Sequence, residues 1–300
     1  MERRKRRSSE DVIVDVINYI LLGFVGIVTI YPFYYVFVLS FNDGYDAMIS
    51  GIYLWPRKFT LDNYVSFFSD MKWLTALGVS VARSVIGGLV TTVFTCMVAY
   101  ALSRKYLIFR KFYSTAIIFC MYFSGGIIAY YVTLRGYGLL NTFAVYIIPG
   151  LLSYFFVIVA RSFFEELPPE ILEAARIDGA NDLKIFMRVV LPLSAPLLAT
   201  MILFTAVGQW NSWVDSAYYV REESLRTLSY RMMEVINKSV DNESIMKSAG
   251  ALAQAAEANR TTSFSLQCAS LVVCIAPILC VYPFLQKYFV QGIMIGAVKG

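Results

Sequence analysis

The chain has no histidine among its 300 residues. The commonest general base and metal ligand is therefore missing. Acidic residues are scarce too, and none occurs between Asp70 and Glu165. The middle of the chain thus lacks the carboxylate relays that proton-coupled carriers place in their spans. Five cysteines (Cys96, Cys120, Cys268, Cys274 and Cys280) fall in apolar runs without C-x-x-C spacing. They read as small buried hydrophobes rather than disulfides or metal ligands. No G-x-x-x-x-G-K-[ST] stretch is present, so the chain has no phosphate-cradling loop of its own. Only 16% of residues are charged, against about 25% in soluble domains.

What is abundant is apolar: 58% of the chain, with 21 Tyr and 22 Phe and a mean hydropathy of +0.61. This composition fits a polytopic membrane protein with aromatic belts at its interfaces. A spanning helix needs about 20 mostly apolar residues. Six stretches qualify: 16–39, 84–102, 112–134, 142–164, 189–214 and 264–286. The first is too long for the apolar core of a signal peptide and lacks a small-residue cleavage site, so it reads as a retained span. The expected fold is all-α, a single membrane domain over 1–300 with six transmembrane helices. Gly125-Gly126 marks a close approach or a flexible point in the third span.

A net charge of +5 raises the question of nucleic acid, but the positions of the charges answer it. Arg3, Arg4, Lys5, Arg6 and Arg7 sit in a basic segment, 1–15, directly before an apolar run. That is a cytoplasmic anchor. Fifteen Lys and Arg lie on the N-terminal side of the alternating loops and ten on the other, with Arg83 apart. Both termini and the 165–188 segment are then cytoplasmic, and the 40–72 and 216–263 loops face outside. Within the latter, residues 246–260 are rich in alanine and favour helix.

The 165–188 segment is charged and short, set between two long apolar runs. Pro168-Pro169 ends one helix and presets the next. Glu170 and Glu173 suit the positive end of its dipole. Gly179 permits a left-handed stop, and Asn181-Asp182 can cap a second helix. Lying flat on lipid is disfavoured, because Glu165, Glu166, Glu170, Glu173, Asp178 and Asp182 would meet an anionic leaflet.

Glu173-Ala174-Ala175, then Gly179, then Val189-Val190-Leu191-Pro192 resembles the EAA signature of permease subunits of binding-protein-dependent ABC importers; Val189 stands where the pattern has Ile. The resemblance implies a type I ABC importer permease fold. It also makes Glu173, Ala174, Ala175, Asp178, Gly179, Ala180, Leu191 and Pro192 the coupling segment that docks on an ATP-binding subunit. The implied assembly holds a second homologous permease, two ATP-binding subunits carrying ATP and magnesium, and an extracytoplasmic solute-binding protein. Its place is the bacterial cytoplasmic membrane. Trp55-Pro56, Thr60 to Tyr64, Gly138 to Thr142, Trp210 to Trp213 and the tail from Pro283 are similar to maltose-type carbohydrate permeases. The branch concerned takes complex oligosaccharides, pectin- or alginate-derived ones among them.

Gln209, Trp210, Asn211 and Trp213 are candidates for the substrate path, since aromatic faces and amides suit sugars. An interfacial tryptophan belt is the competing reading. Gln209 and Asn211 are two apart on a helix and do not share a face. Arg83 is expected near the outer boundary, with its side chain reaching into water. A proton-coupled sugar carrier and a membrane-embedded enzyme are the alternatives, and both want titratable groups that the spans lack. The purified chain alone is expected neither to bind nor to hydrolyse ATP; nucleotide binding and phosphate release by the isolated subunit check this, and sustained turnover would contradict it.

Overall fold

The computed structural model describes residues 9–48, 51–52, 54–237 and 261–297. Arg3 to Arg7, the 246–260 stretch and the last three residues lie outside these. The helices are, in order, α1 (Ser9–Ser40), α2 (Gly44–Met48), α3 (Asp62–Ser69), α4 (Met71–Ser103), α5 (Arg110–Tyr122), α6 (Gly126–Gly136), α7 (Tyr154–Glu165), α8 (Pro169–Ile177), α9 (Asp182–Ile185), α10 (Leu191–Leu193), α11 (Ala195–Asn211), α12 (Val214–Tyr219) and α13 (Ser263–Ala297). A further helical stretch covers 228–237. Among the described residues there is no strand, only one antiparallel bridge between Asn42 and Phe59. The all-α expectation holds.

Among the described residues three helices are long and apolar enough to cross a membrane: Val12–Ser40, Met71–Ser103 and Ser263–Pro283. The other three expected spans are each broken. Arg110–Tyr122 and Gly126–Gly136 meet at 117°, Phe143–Gly150 and Tyr154–Glu165 at 48°, and Asp182–Leu193 and Ala195–Asn211 at 86°. Taken as pairs they complete six. The six expected spans stand, with those at 112–134, 142–164 and 189–214 sharply bent, and two of the bends have a local cause. In the third span Phe123 is extended and Gly126 takes φ +74, a region where a side chain is strained. In the fifth, Pro196 has no N–H to offer the Pro192 carbonyl, so the helix cannot run on through Ser194. The second span also starts earlier than expected, at Met71 rather than residue 84, where Asp70 accepts the Lys72 N–H at 2.9 Å and caps the helix.

The described residues form two compact units, one from those within 9–69, 235–237 and 261–273, the other from 70–234 and 274–297. In the first, the chain leaving α1 is pinned by amides. Asn63 Nδ2 donates to the carbonyls of Ser40 and Asn42, both at 2.9 Å. Asn42 Nδ2 donates to Asp46 at 2.9 Å while its Oδ1 accepts the Lys58 N–H. Burial pushes the Asp46 carboxyl up, but the Asn42 hydrogen bond and the nearby Arg57 outweigh it and hold it below its usual range. Val38, Leu39, Ala47, Ile52 and Cys268 make the small apolar core beneath.

The second unit is organised by α4. Its buried positions include Ser80, Ser84, Gly87, Gly88, Thr91, Thr92, Thr95, Cys96 and Ala99, small residues recurring every three or four. Small faces let membrane helices approach closely. A Cβ added at Gly88 would lie 3.1 Å from the Cβ of Ala206 on α11. The same face serves the broken fourth span. Thr91 Oγ1 donates to Gly150 O at 3.0 Å, and Thr95 Oγ1 accepts the Ser153 N–H at 3.1 Å. Backbone groups freed around Pro149 are thus paired, as a membrane interior requires. All five cysteines are free; Cys96, Cys268 and Cys274 are buried as expected. Cys120 and Cys280 are exposed instead, on apolar helices whose outward faces carry equally apolar neighbours such as Phe119 and Leu279.

Arg83 departs most from expectation. It does not reach into water: it is 2% exposed. Its Nε donates to Gln209 Oε1 at 2.5 Å, its Nη1 to the Ser212 carbonyl at 3.1 Å, and its Nη2 pairs with Asp215. The Tyr146 ring lies 4.5 Å from the guanidinium carbon. The guanidinium therefore ties α4 to α11, α12 and the 3₁₀ turn at Phe143–Tyr146. Removing one member of such a pair strands the other. Arg83→Met is expected to destabilise the unit by about 3 kcal/mol, and adding Asp215→Leu to recover part of the loss. Unfolding midpoints of the solubilised variants test this, and an unchanged midpoint in Arg83→Met would contradict it.

Candidate functional site: the 165–188 segment and the opposite end of the bundle

The segment after α7 folds as its residues dictate. Pro168 precedes α8 and Pro169 occupies its first turn. Leu172 is the helix's buried residue, and Glu173, Ala174, Ile177 and Asp178 are exposed. The helix stops where Gly179 takes φ +76. There the Gly179 N–H reaches the Arg176 carbonyl at 2.9 Å and the Ala180 N–H the Ala175 carbonyl at 3.0 Å. Asn181 Oδ1 then accepts the Lys184 N–H at 2.9 Å and caps α9. Both the left-handed stop and the cap are legible in the sequence.

Beyond α9 the chain is not a simple helix. Phe186–Val190 forms a π turn, Leu191–Leu193 a last α turn, and the chain bends at Ser194 into α11. Its inner side is gripped by one core cluster in which Leu172, Ile185, Phe186 and Val190 pack with Tyr100, Val157, Phe164 and Met201; Ala175, Ala180 and Leu191 pack against it. The Tyr100 ring stands 5.4 Å from Phe186 and 6.4 Å from Phe164. Outside the apolar part, Tyr106 on the α4–α5 turn donates to Asp182 Oδ1 at 2.7 Å, and Arg176 Nη2 reaches the Tyr106 hydroxyl at 3.0 Å. Burial and the Asp182 carboxylate both push the Tyr106 hydroxyl above its usual range. The 165–188 segment thus presents Glu173, Ala174, Asp178 and Gly179 outward, while Leu172 and Ala175 face the bundle.

At the far end of α4 the four path candidates separate. Gln209 is committed to the Arg83 guanidinium and donates its Nε2 to the Tyr146 carbonyl at 3.3 Å. Trp210 is buried, with its indole N–H on the Cys274 carbonyl at 3.0 Å. Asn211 and Trp213 are exposed. Sequence reasoning misses Asp215 and Tyr146 as partners of Arg83; Asp215 lies 132 positions from it, beyond any local pattern. Close by is a cleft of about 420 Å³ lined by Tyr131, Arg135, Asn141, Tyr218, Tyr219 and Arg221. Asn141, left-handed at φ +59, shapes its wall by accepting the N–H groups of Arg221 and Glu222 at 2.9 and 2.7 Å. Among the described residues no cluster of His, Cys, Asp and Glu is arranged to hold a metal.

Residues 92–295 match the family described as the inner membrane component of binding-protein-dependent transport systems. Protein LplC of Bacillus subtilis (strain 168) is 36% identical, over 96% of this chain and 95% of that protein. The polygalacturonan/rhamnogalacturonan transport system permease protein YtcP of the same organism is 33% identical, over 95% and 98%. A chain from the crystal structure of a bacterial ABC transporter involved in the import of the acidic polysaccharide alginate superposes with a TM-score of 0.83. It is 31% identical, with 95% of this chain and 99% of that one covered. The chain belongs to the family of inner membrane components of binding-protein-dependent transport systems, and its fold is that of a type I ABC importer permease.

Proposed function

We propose that this chain is one of two non-identical permease subunits of an ATP-driven oligosaccharide importer. Two ATP-binding subunits supply ATP and magnesium, and an extracytoplasmic solute-binding protein delivers the sugar. The observation that carries this reading is the coupling segment: a short helix with an outward face of Glu173, Ala174, Asp178 and Gly179, anchored at both ends in the bundle. The missing phosphate loop supports a reading in which the partners carry out hydrolysis. The Lys/Arg asymmetry supports a cytoplasmic position for both termini and this segment. The relatives named for polygalacturonan and alginate transport support a complex, acid-bearing oligosaccharide.

The packing explains how a push at α8 is passed on. Leu172 and Ala175 hold α8 to a core containing Phe164 of α7 and Phe186 of the π turn. A partner subunit that shifts α8 therefore shifts the feet of α7 and α11 with it. Interiors packed this closely transmit displacement rather than absorb it. Of the path candidates, Asn211 and Trp213 remain free to meet sugar, whereas Gln209 and Trp210 are engaged in holding α11.

Gly179→Pro demands a φ near −65° where the chain takes +76°, and Glu173→Lys reverses the charge of an exposed docking face. Both are expected to abolish substrate-stimulated ATP hydrolysis and uptake in the reconstituted importer while leaving the spans inserted. Wild-type stimulation in both variants would remove the coupling assignment. Uptake assays across neutral and acidic oligosaccharides, amino acids and ions test the substrate class. Stimulation by oligosaccharides is expected; a response confined to amino acids or ions would overturn it.

A further inference from the structure

We infer that the cleft between α6, the 137–142 turn and α12 holds a carboxylate-bearing sugar unit of the transported chain, with Arg135 and Arg221 on its carboxylate and tyrosine faces against its ring. This deepens the oligosaccharide reading and rests on it.

Four observations meet here. The first is place: α4 runs from Arg83, beside Gln209 and Asp215, to Tyr100, beside Phe164 and Phe186. The cleft adjoins α12, which carries Asp215, so it lies at the end away from the coupling segment. A solute entering from outside meets that end first.

The second is shape. A cleft of about 420 Å³ falls within the range of about 300–1,000 Å³ typical of small-molecule sites and suits one or two sugar rings. A flat docking face for a protein has no such concavity.

The third is charge. Arg135 closes the last turn of α6, where a cation also suits the helix dipole, and Arg221 follows α12. Both are exposed, and neither guanidinium has a carboxylate partner among the described residues. No acid lines the cleft. Two guanidiniums without an internal acid favour an anionic ligand, and their forked donors match a carboxylate in a bidentate way.

The fourth is the aromatic wall. Tyr219 stands 6.3 Å from Tyr131 and 6.4 Å from Tyr218, ring to ring, and Tyr218 is 55% exposed. Tyrosine supplies an apolar face for a sugar ring and a hydroxyl for its oxygens. The wall is held still: the Asn141 N–H donates to the Tyr219 carbonyl at 2.8 Å, and its side chain clamps the Arg221 backbone. A site preorganised in this way loses little on binding.

The test uses the complete importer in detergent, without its binding protein and without ATP. Binding of trigalacturonate, its methyl ester and cellotriose is measured by calorimetry in the wild type, in Arg135→Gln/Arg221→Gln and in Tyr218→Ala. All three altered side chains are exposed, and gel filtration shows whether the complex assembles. The expected result is that trigalacturonate binds the wild type at least tenfold more tightly than the double arginine variant. The methyl ester should be insensitive to that change, and Tyr218→Ala should weaken trigalacturonate. Equal affinity in wild type and double variant would overturn the assignment. So would a double variant that keeps sugar affinity but loses its grip on the solute-binding protein, since the cleft would then be a protein-docking surface. Transport confined to neutral oligosaccharides would overturn the cleft alone; transport confined to amino acids or ions would overturn the importer reading with it.

Discussion

A guanidinium taken out of water must be paired, and that requirement organises one end of the bundle. Arg83 sits inside α4 at 2% exposure. Its partners come from α11, from the turn after it and from α12. An unpaired charge there would cost several kcal/mol, so the chain cannot relax without losing all of these contacts together. The position of α12 is set by this pairing, and with it Tyr218, Tyr219 and Arg221. The cleft therefore depends on a charge that does not line it.

The other end is held by shape in its interior and by the Tyr106, Asp182 and Arg176 contacts at its surface. Tyr100, Phe164 and Phe186 interlock around the start of the fifth span, and the left-handed Gly179 turns α8 back over them. Between the two ends α4 is unbroken for 33 residues, and α7 and α11 lie along its small-residue face. The bends of the fourth and fifth spans fall in helices packed on α4. Its threonines pair the backbone opened at Pro149, so interruption of the fourth span does not loosen the bundle.

What is legible in the sequence and what is hidden there divide by range of interaction. The Gly179 stop, the Asn181 cap and the Pro168-Pro169 helix start are local, and the structure has each where the residues place it. The Gly125-Gly126 pair is where the third span breaks, because a positive φ at Gly126 is also a local property. Arg83 reads from the sequence as surface-reaching because its partners are 126 to 132 positions away and no periodicity connects them. Trp210 reads as a path or belt residue for the same reason: the carbonyl of Cys274 that accepts its N–H belongs to a distant helix. Composition yields a count of six apolar stretches but not their bends, which depend on which neighbour satisfies the freed carbonyls.

On the proposed function, the 165–188 segment and the opposite cleft are two ends of one packed body that moves as a unit. Leu183, 61% exposed, and Val132, 63% exposed, mark those ends outside the proposed docking face and the cleft lining. Spin labels on cysteines placed there, with Cys120 and Cys280 replaced, report their separation by pulsed electron resonance in the assembled importer. The distance should be the same with and without bound ATP, although the body as a whole re-orients. A change of a helical turn or more, about 5.4 Å, would show that the two ends move apart and would contradict the account.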